Sequence, residues 1–259
     1  MTIEGLHVDD IGPVRWIALD RPDCKNGLTP ELVAHMGDAI LGARDARAIA
    51  ITGRNGAFCS GLDLRVAMTG GPELLERAEE NLVPFQRLIR AITDAPQAVI
   101  AVIDGPAAGF GCDLALACDV RVASSRAYFQ EAFVRIGLIP DGAGTWMLPR
   151  LVGLSKALEL ALLGEKMDAN DAKLLGLVWK VVDAAVLMEE GSALANRLAG
   201  SAPMAVTRIK KLMREGLSRD LATGMKFEGA AQIECIRSED LIEGISAFFQ
   251  KRPPAFSGK

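Results

Sequence analysis

The sequence is short of the residues on which several kinds of chemistry depend. It has two histidines in 259 residues, His7 in a strand-like stretch and His35 on an amphipathic helical one. Ser60 lacks a GxSxG setting, and neither histidine is placed as its base, which argues against a Ser-His-Asp triad. Positive charge is not in excess: 29 Lys and Arg stand against 33 Asp and Glu, for a net charge of −4. Nucleic acid and anionic membrane surfaces both call for a basic face, so neither is expected as a partner. No stretch approaches the roughly 18 uninterrupted apolar residues of a membrane span. Met1-Thr2-Ile3-Glu4 begins neither a basic nor an apolar leader. The five cysteines, Cys24, Cys59, Cys112, Cys118 and Cys235, are odd in number and lack CxxC spacing. They read as reduced thiols in apolar surroundings, and the expectation is a soluble protein of the cytoplasm.

What the chain does have is apolar residues, 50% of the total. That is enough for one large domain or a main domain with an appendage. The chain is organised around residues 98–119, AVIAVIDGPAAGFGCDLALACD. Ala98–Ile103 reads as a buried strand, Asp104-Gly105-Pro106 ends it, and Gly109-Phe110-Gly111 leads into a helix. Glycines on both sides of Phe110 let the backbone approach a ligand, and the first amides of a helix have no internal acceptor. The Phe110 amide is therefore placed to donate to developing negative charge, with Asp113 on the same face of the first turn. The same residues also fit a plain tight turn whose acid favours the helix dipole.

Taken in order, the chain opens with two strands around a turn at residues 9–13, the second being Val14–Leu19, and then a loop over 21–27. Thr29-Pro30 starts a helix to about Ala43, and Ala48–Gly53 is a short buried strand. Residues 54–64 give another strand, a turn at Ser60-Gly61 and a helix start. Two strand-to-turn units thus offer backbone amides near Ser60 and near Phe110, and together they would make an oxyanion site. Ser60 also fits an ordinary hydrogen-bonding turn. Residues 65–80, with Gly70-Gly71-Pro72, read as a mobile loop, and a helix follows from about Glu73 to Thr93. A strand over 119–123 and a short segment from Ala127 lead to Pro140-Asp141-Gly142, where Asp141 is a turn residue, a helix cap or a reactive acid. Helices over 145–163 and 168–175, a strand over 177–182 and a helical remainder complete an α/β-then-α pattern. It divides into a core over 1–184 and a C-terminal helical subdomain over 185–259.

Four separated motifs now carry a resemblance: AFCSGLDL at 57–64, GPAAGFGCDLALACD at 105–119, GLIPD at 137–141, and EGISAF at 243–248 with the tail FSGK. In this order they resemble the crotonase, or enoyl-CoA hydratase/isomerase, superfamily. The resemblance implies a spiral of ββα units, a helical oligomerisation subdomain, and a homotrimer or dimer of trimers. It implies an acyl-CoA substrate whose thioester oxygen is held by two backbone amides, mapped onto Ser60 and Phe110. Coenzyme A is then part of the substrate, and no metal or resident cofactor is required.

The family's hydratases carry a glutamate at the position of Asp113, while their second glutamate corresponds to Phe133, which moves no proton. Glu131 lies two residues away, in a register that need not face the site. Asp141 resembles the acid of members that shift a double bond. Hydration and isomerisation both stay open, as do a catalytically weak acyl-CoA binder and a thioester hydrolase. By the same resemblance Ser60, Gly61, Leu62, Asp63, Gly109 and Phe133 line the thioester site. Lys25 and Asn26 border the CoA entrance, and Phe248 and Lys251 reach a nucleotide on a neighbouring subunit. The wall around the acyl group comes from residues 65–90, and the acyl group itself is left open.

Overall fold

The computed structural model describes residues 2–65 and 76–259. An antiparallel meander opens it: β1 (Thr2–Ile3) pairs with β2 (Leu6–Ile11), and β2 with β3 (Val14–Leu19). Ile11 sits opposite Val14, so the turn is Gly12-Pro13 alone, and Asp9 and Asp10 are strand residues rather than turn residues. From β3 onward the sheet is parallel, through β4 (Ala48–Gly53), β5 (Ala98–Ile103), β7 (Val120–Ser124) and β10 (Lys180–Val182).

The sequences of β4 and β5 are apolar without alternation because both faces of the sheet are covered. Helices α1 (Pro30–Leu41) and α2 (Ala78–Asp94) share one apolar cluster with Ile49, Ile51, Val99 and Ala101. On the other face α7 (Leu187–Ala199) packs against Ala50, Ile100 and Val102. Gly191 of α7 lies so close that a Cβ there would stand 2.7 Å from a Val102 methyl. Helices replace strands near residue 185, but the core continues across that point.

A second layer grows from the strand ends. After β4, Cys59 bridges to Ala107; after β5 comes β6 (Pro106–Ala108); after β7 comes β8 (Tyr128–Gln130). β6 pairs with β8, which takes β9 (Met167–Asp168) on its far side. This repeat of a long strand, a short segment and a helix is the expected ββα spiral. Two details differ from the expectation. Residues 106–108, read as a turn, are a strand, whereas residues 54–59, read as a strand, hold only the Cys59 bridge.

The helix expected over 145–163 is two, α4 (Gly144–Val152) and α5 (Leu154–Leu163), parted at Gly153 with φ 77°. That backbone conformation favours glycine. Asp168 caps α6 (Ala169–Leu174) by accepting from Asn170 and Asp171. The chain continues after α7 through α8 (Pro203–Gly216), α9 (Leu221–Ile236) and α10 (Glu239–Gln250). Among the described residues no helix is long and apolar enough to cross a membrane. The loop expected around Gly70-Gly71-Pro72 lies outside the described residues.

Candidate functional site

The two glycine turns meet. Cys59 N–H donates to Pro106 O at 2.9 Å and Ala108 N–H to Cys59 O at 3.0 Å, which clamps residues 59–62 against the start of α3 (Phe110–Ala117). Gly61, with φ +88°, sits so close that a Cβ there would lie 2.7 Å from Ala108 O and 3.2 Å from Phe110 N. Phe110 is the first helical residue, and its amide has no acceptor within the helix.

The partner amide is not the one expected. Ser60 N–H donates to Lys25 O at 3.0 Å and its hydroxyl to Cys24 O at 2.7 Å, so Ser60 has no donor left for a ligand. One peptide further on, Leu28 and Leu62 form a parallel bridge in which Leu28 N–H takes Gly61 O and Asp63 N–H donates to Leu28 O. That pattern leaves the Leu62 N–H without an acceptor among the described residues. Leu62 and Phe110 thus bring to this junction two amides that have no acceptor among the described residues.

A cavity of about 390 Å³ opens beside them, its wall including Gly61, Leu62, Gly109, Phe110, Phe133 and Asp141. Phe85 meets Phe110 edge-on at 4.8 Å between ring centroids, which makes this wall largely apolar. Asp141 follows Pro140 in the loop before α4, and its Oδ1 is buried without a partner. Burial raises its pKa above the ordinary carboxylate value.

Asp113 has no exposed surface. Its Oδ2 accepts the Gly142 N–H at 2.8 Å, while Oδ1 has no partner. Gly142 and Gly144 press on it: a Cβ at Gly142 would stand 2.6 Å from the Asp113 Cβ, and one at Gly144 would overlap Oδ1. Asp113 is thus sealed under the loop that carries Asp141, rather than standing in the cavity wall as a second reacting acid. Burial first, then the neighbouring Glu131 carboxyl, raises its pKa well above the usual range. Glu131 is 3% exposed, and neither of its oxygens has a partner of good hydrogen-bond geometry. Burial pushes its pKa up to about 7, opposed by the Cys112 thiol beside it and aided by the charge of Asp141.

Residues 12–259 match the family model described as Enoyl-CoA hydratase/isomerase. The chain belongs to that family. A Rhodobacter capsulatus protein named "Probable enoyl-CoA hydratase" is 41% identical over 244 residues, 94% of each chain. The "1,2-epoxyphenylacetyl-CoA isomerase" of Escherichia coli is 37% identical over 95% of each. Among solved structures, an enoyl-CoA hydratase from Polaromonas sp. JS666 superposes with a TM-score of 0.93 at 33% identity, covering 97% of this chain and 99% of that one. The α/β architecture is therefore the crotonase fold. Hydratases and isomerases both occur among the named relatives, so the choice between the two reactions falls to the site.

Two other residues assigned from the hydratase/isomerase resemblance, Asn26 and Asp63, have different work. Asn26 is fully buried; its Oδ1 accepts the Arg21 N–H at 2.7 Å and its amide donates to Ala57 O at 2.6 Å. It braces the 21–27 loop and offers nothing to a ligand. Asp63 is buried between Arg65 at 2.9 Å and Arg21 at 3.0 Å, and the Arg65 hydrogen bond holds its carboxyl well below the usual range. It is a structural ion-pair partner. The Lys25 side chain is exposed, as is Phe248, and Lys251 caps α10 in the left-handed conformation. None of these three is in the cavity wall.

His7 Nε2 lies 3.0 Å from Asp20 Oδ2, away from the cavity, and His35 lines a different depression near the N-terminal strands. Cys59, Cys112 and Cys118 are buried free thiols, and burial pushes Cys59 and Cys118 up to about 12. Among the described residues no group of histidine, cysteine or acidic side chains is arranged to hold a metal ion. Glu131, two residues from Phe133 in a register that need not face the site, is instead buried beside the acids of the site. Its signal is an acid directly after the short buried strand Tyr128–Gln130.

Proposed function

We propose that this enzyme shifts a double bond in an unsaturated acyl-CoA thioester, with Asp141 moving the proton and the Leu62 and Phe110 amides holding the enolate oxygen. The observation that carries this reading is an asymmetry among acids. Asp141 lines the cavity, Asp113 is sealed beneath Gly142, and position 133 is phenylalanine. A two-acid hydration scheme would need a second carboxyl beside the substrate.

Removing a proton from the carbon next to a thioester carbonyl moves charge onto the oxygen. Preorganised amides in a dry cavity stabilise that charge, by on the order of 3 kcal/mol for each donor. Burial strengthens Asp141 as a base, and the same carboxyl can return the proton further along the chain. The apolar wall, with Phe85, Phe110 and Phe133, suits a hydrocarbon acyl group. The reading assigns no resident cofactor, since coenzyme A arrives as the substrate's handle.

Lys25 at the entrance, and Phe248 and Lys251 from a neighbouring subunit, remain our candidates for contacts to that handle. Exposed apolar side chains on α8 to α10, among them Met213, Met225 and Ile242, suit a trimer or a dimer of trimers. The cytoplasm fits the thiols. The names of the E. coli and R. capsulatus relatives support acyl-CoA as the substrate class.

The test mixes purified protein with short- and medium-chain 3-enoyl-CoA and, separately, 2-enoyl-CoA, following conjugated-thioester absorbance and product mass. Conversion of 3-enoyl to 2-enoyl without change of mass, lost in Asp141→Asn, is the expected result. Gain of one water by the 2-enoyl substrate, lost in Asp113→Asn, would replace it with hydration.

A further inference from the structure

We propose that Glu131 is a positioning carboxyl of this site, a proton store behind Asp141 that keeps the negative charge on the one acid facing the cavity. The proposal rests on the assignment of Asp141 as the reacting acid.

The placement follows from one glycine. Gly109 N–H donates to Gln130 O at 2.8 Å, and Asp113 N–H donates to Gly109 O at 3.3 Å. Gly109 therefore ties the strand end that precedes Glu131 to the helix turn that carries Asp113. Glu131 is 3% exposed; the Cys112 thiol lies against its carboxyl, and neither oxygen has a partner of good hydrogen-bond geometry. The titratable groups facing it are Cys112 and Asp113 from α3 and Asp141 from the following loop, and none is a cation. Arg135, on the next turn of chain, lies against Gly164 and at the rim of the cavity.

Three carboxyls so placed cannot all ionise in an apolar interior, because each charge raises the cost of the next. Asp141 is the least buried and faces the cavity, so it carries the first charge. Asp113, sealed under Gly142, keeps its proton, and Glu131 lies between these two in its readiness to ionise. When Glu131 does lose its proton, a second anion behind Asp141 strengthens Asp141 as a base. The hydrogen-bonded acid and the reacting acid are thereby joined by a third that registers pH.

The test reads the proton directly and does not depend on turnover. Isotope-edited infrared spectra of the carboxyl groups are recorded against pH for wild type, Glu131→Gln and Asp141→Asn. In wild type a neutral-carboxyl band absent from Glu131→Gln should titrate near neutrality. In Asp141→Asn it should move about one pH unit lower, a response that an uncoupled structural carboxyl would not make. In kinetics, kcat/KM for the 3-enoyl to 2-enoyl conversion should rise about threefold across the same range in wild type and stay flat in Glu131→Gln. A Glu131 already ionised in mild acid, a midpoint unmoved by Asp141→Asn, or superimposable pH profiles would overturn the proposal. If wild type turns over no enoyl-CoA, the reaction assignment fails, and the infrared coupling still decides whether the three carboxyls share their protons.

Discussion

Asp113 holds Gly142: its Oδ2 accepts the Gly142 amide at 2.8 Å, so the acid at the start of α3 fixes the loop on which Asp141 stands. Asparagine at 113 keeps an acceptor for that amide, and alanine does not. Steady-state kinetics should therefore find Asp113→Asn within about tenfold of wild type and Asp113→Ala down by about a hundredfold, the scale of a misplaced reacting group. Equal losses in both would mean that the proton of Asp113 itself enters the reaction.

Asp141→Asn removes the group that transfers the proton and leaves the cavity wall nearly unchanged in shape. The expected loss is about a hundredfold to ten-thousandfold in kcat. Calorimetry with a non-reacting acyl-CoA should show binding close to that of wild type, which separates chemistry from recognition.

Gly61→Ala tests the paired amides. A methyl at φ +88°, 2.7 Å from Ala108 O, pushes the Leu62 peptide away from Phe110. Loss of one oxyanion donor costs on the order of a hundredfold to a thousandfold in kcat. The effect should appear in turnover with the thermal midpoint less affected; unchanged turnover would remove Leu62 from the site.

At Gly144 an added methyl overlaps Asp113 Oδ1 and lies 3.0 Å from the Pro140 Cβ. Gly144→Ala should lower stability by about 1–3 kcal/mol in urea denaturation, the usual range for overpacking a rigid site.

The charge state of Glu131 also links stability to pH. The unfolded chain releases this proton near the ordinary value of 4.5, and the folded chain at about 7. Between these values the folded state holds the extra proton, so stability falls as pH rises through the window, by on the order of 3 kcal/mol in total. Glu131→Gln is neutral throughout, so its urea midpoint should gain on wild type as pH rises from below that window to above it. A gap independent of pH would mean that Glu131 ionises alike in both states.

Much of this was legible in the residues. The apolar runs of β4 and β5 are bounded by Gly53 and by Asp104-Gly105, and their limits match the strands residue for residue. The meeting of two glycine turns was legible too, since Gly61 and Gly111 mark backbones that must come close. Which amide stays free was not legible. That depends on the Lys25 carbonyl taking the Ser60 N–H, a contact across 35 residues that no local pattern encodes. The short strand Pro106–Ala108 escaped because proline and alanine between glycines have the composition of a turn, and only pairing with β8 makes them a strand. The burial of Glu131 was not legible, because burial of an acid is decided by the second layer and not by its neighbours in sequence.

The position of α7 has a consequence for synthesis. It covers Ala50, Ile100 and Val102 with residues that come more than 80 positions after β5. While the ribosome is still adding the intervening segment, β3, β4 and β5 present one face of bare hydrocarbon, a state prone to aggregate. A nascent chain halted before Leu187 is therefore expected to depend on a chaperone for solubility, and one released after Ala199 is expected to be free of that dependence.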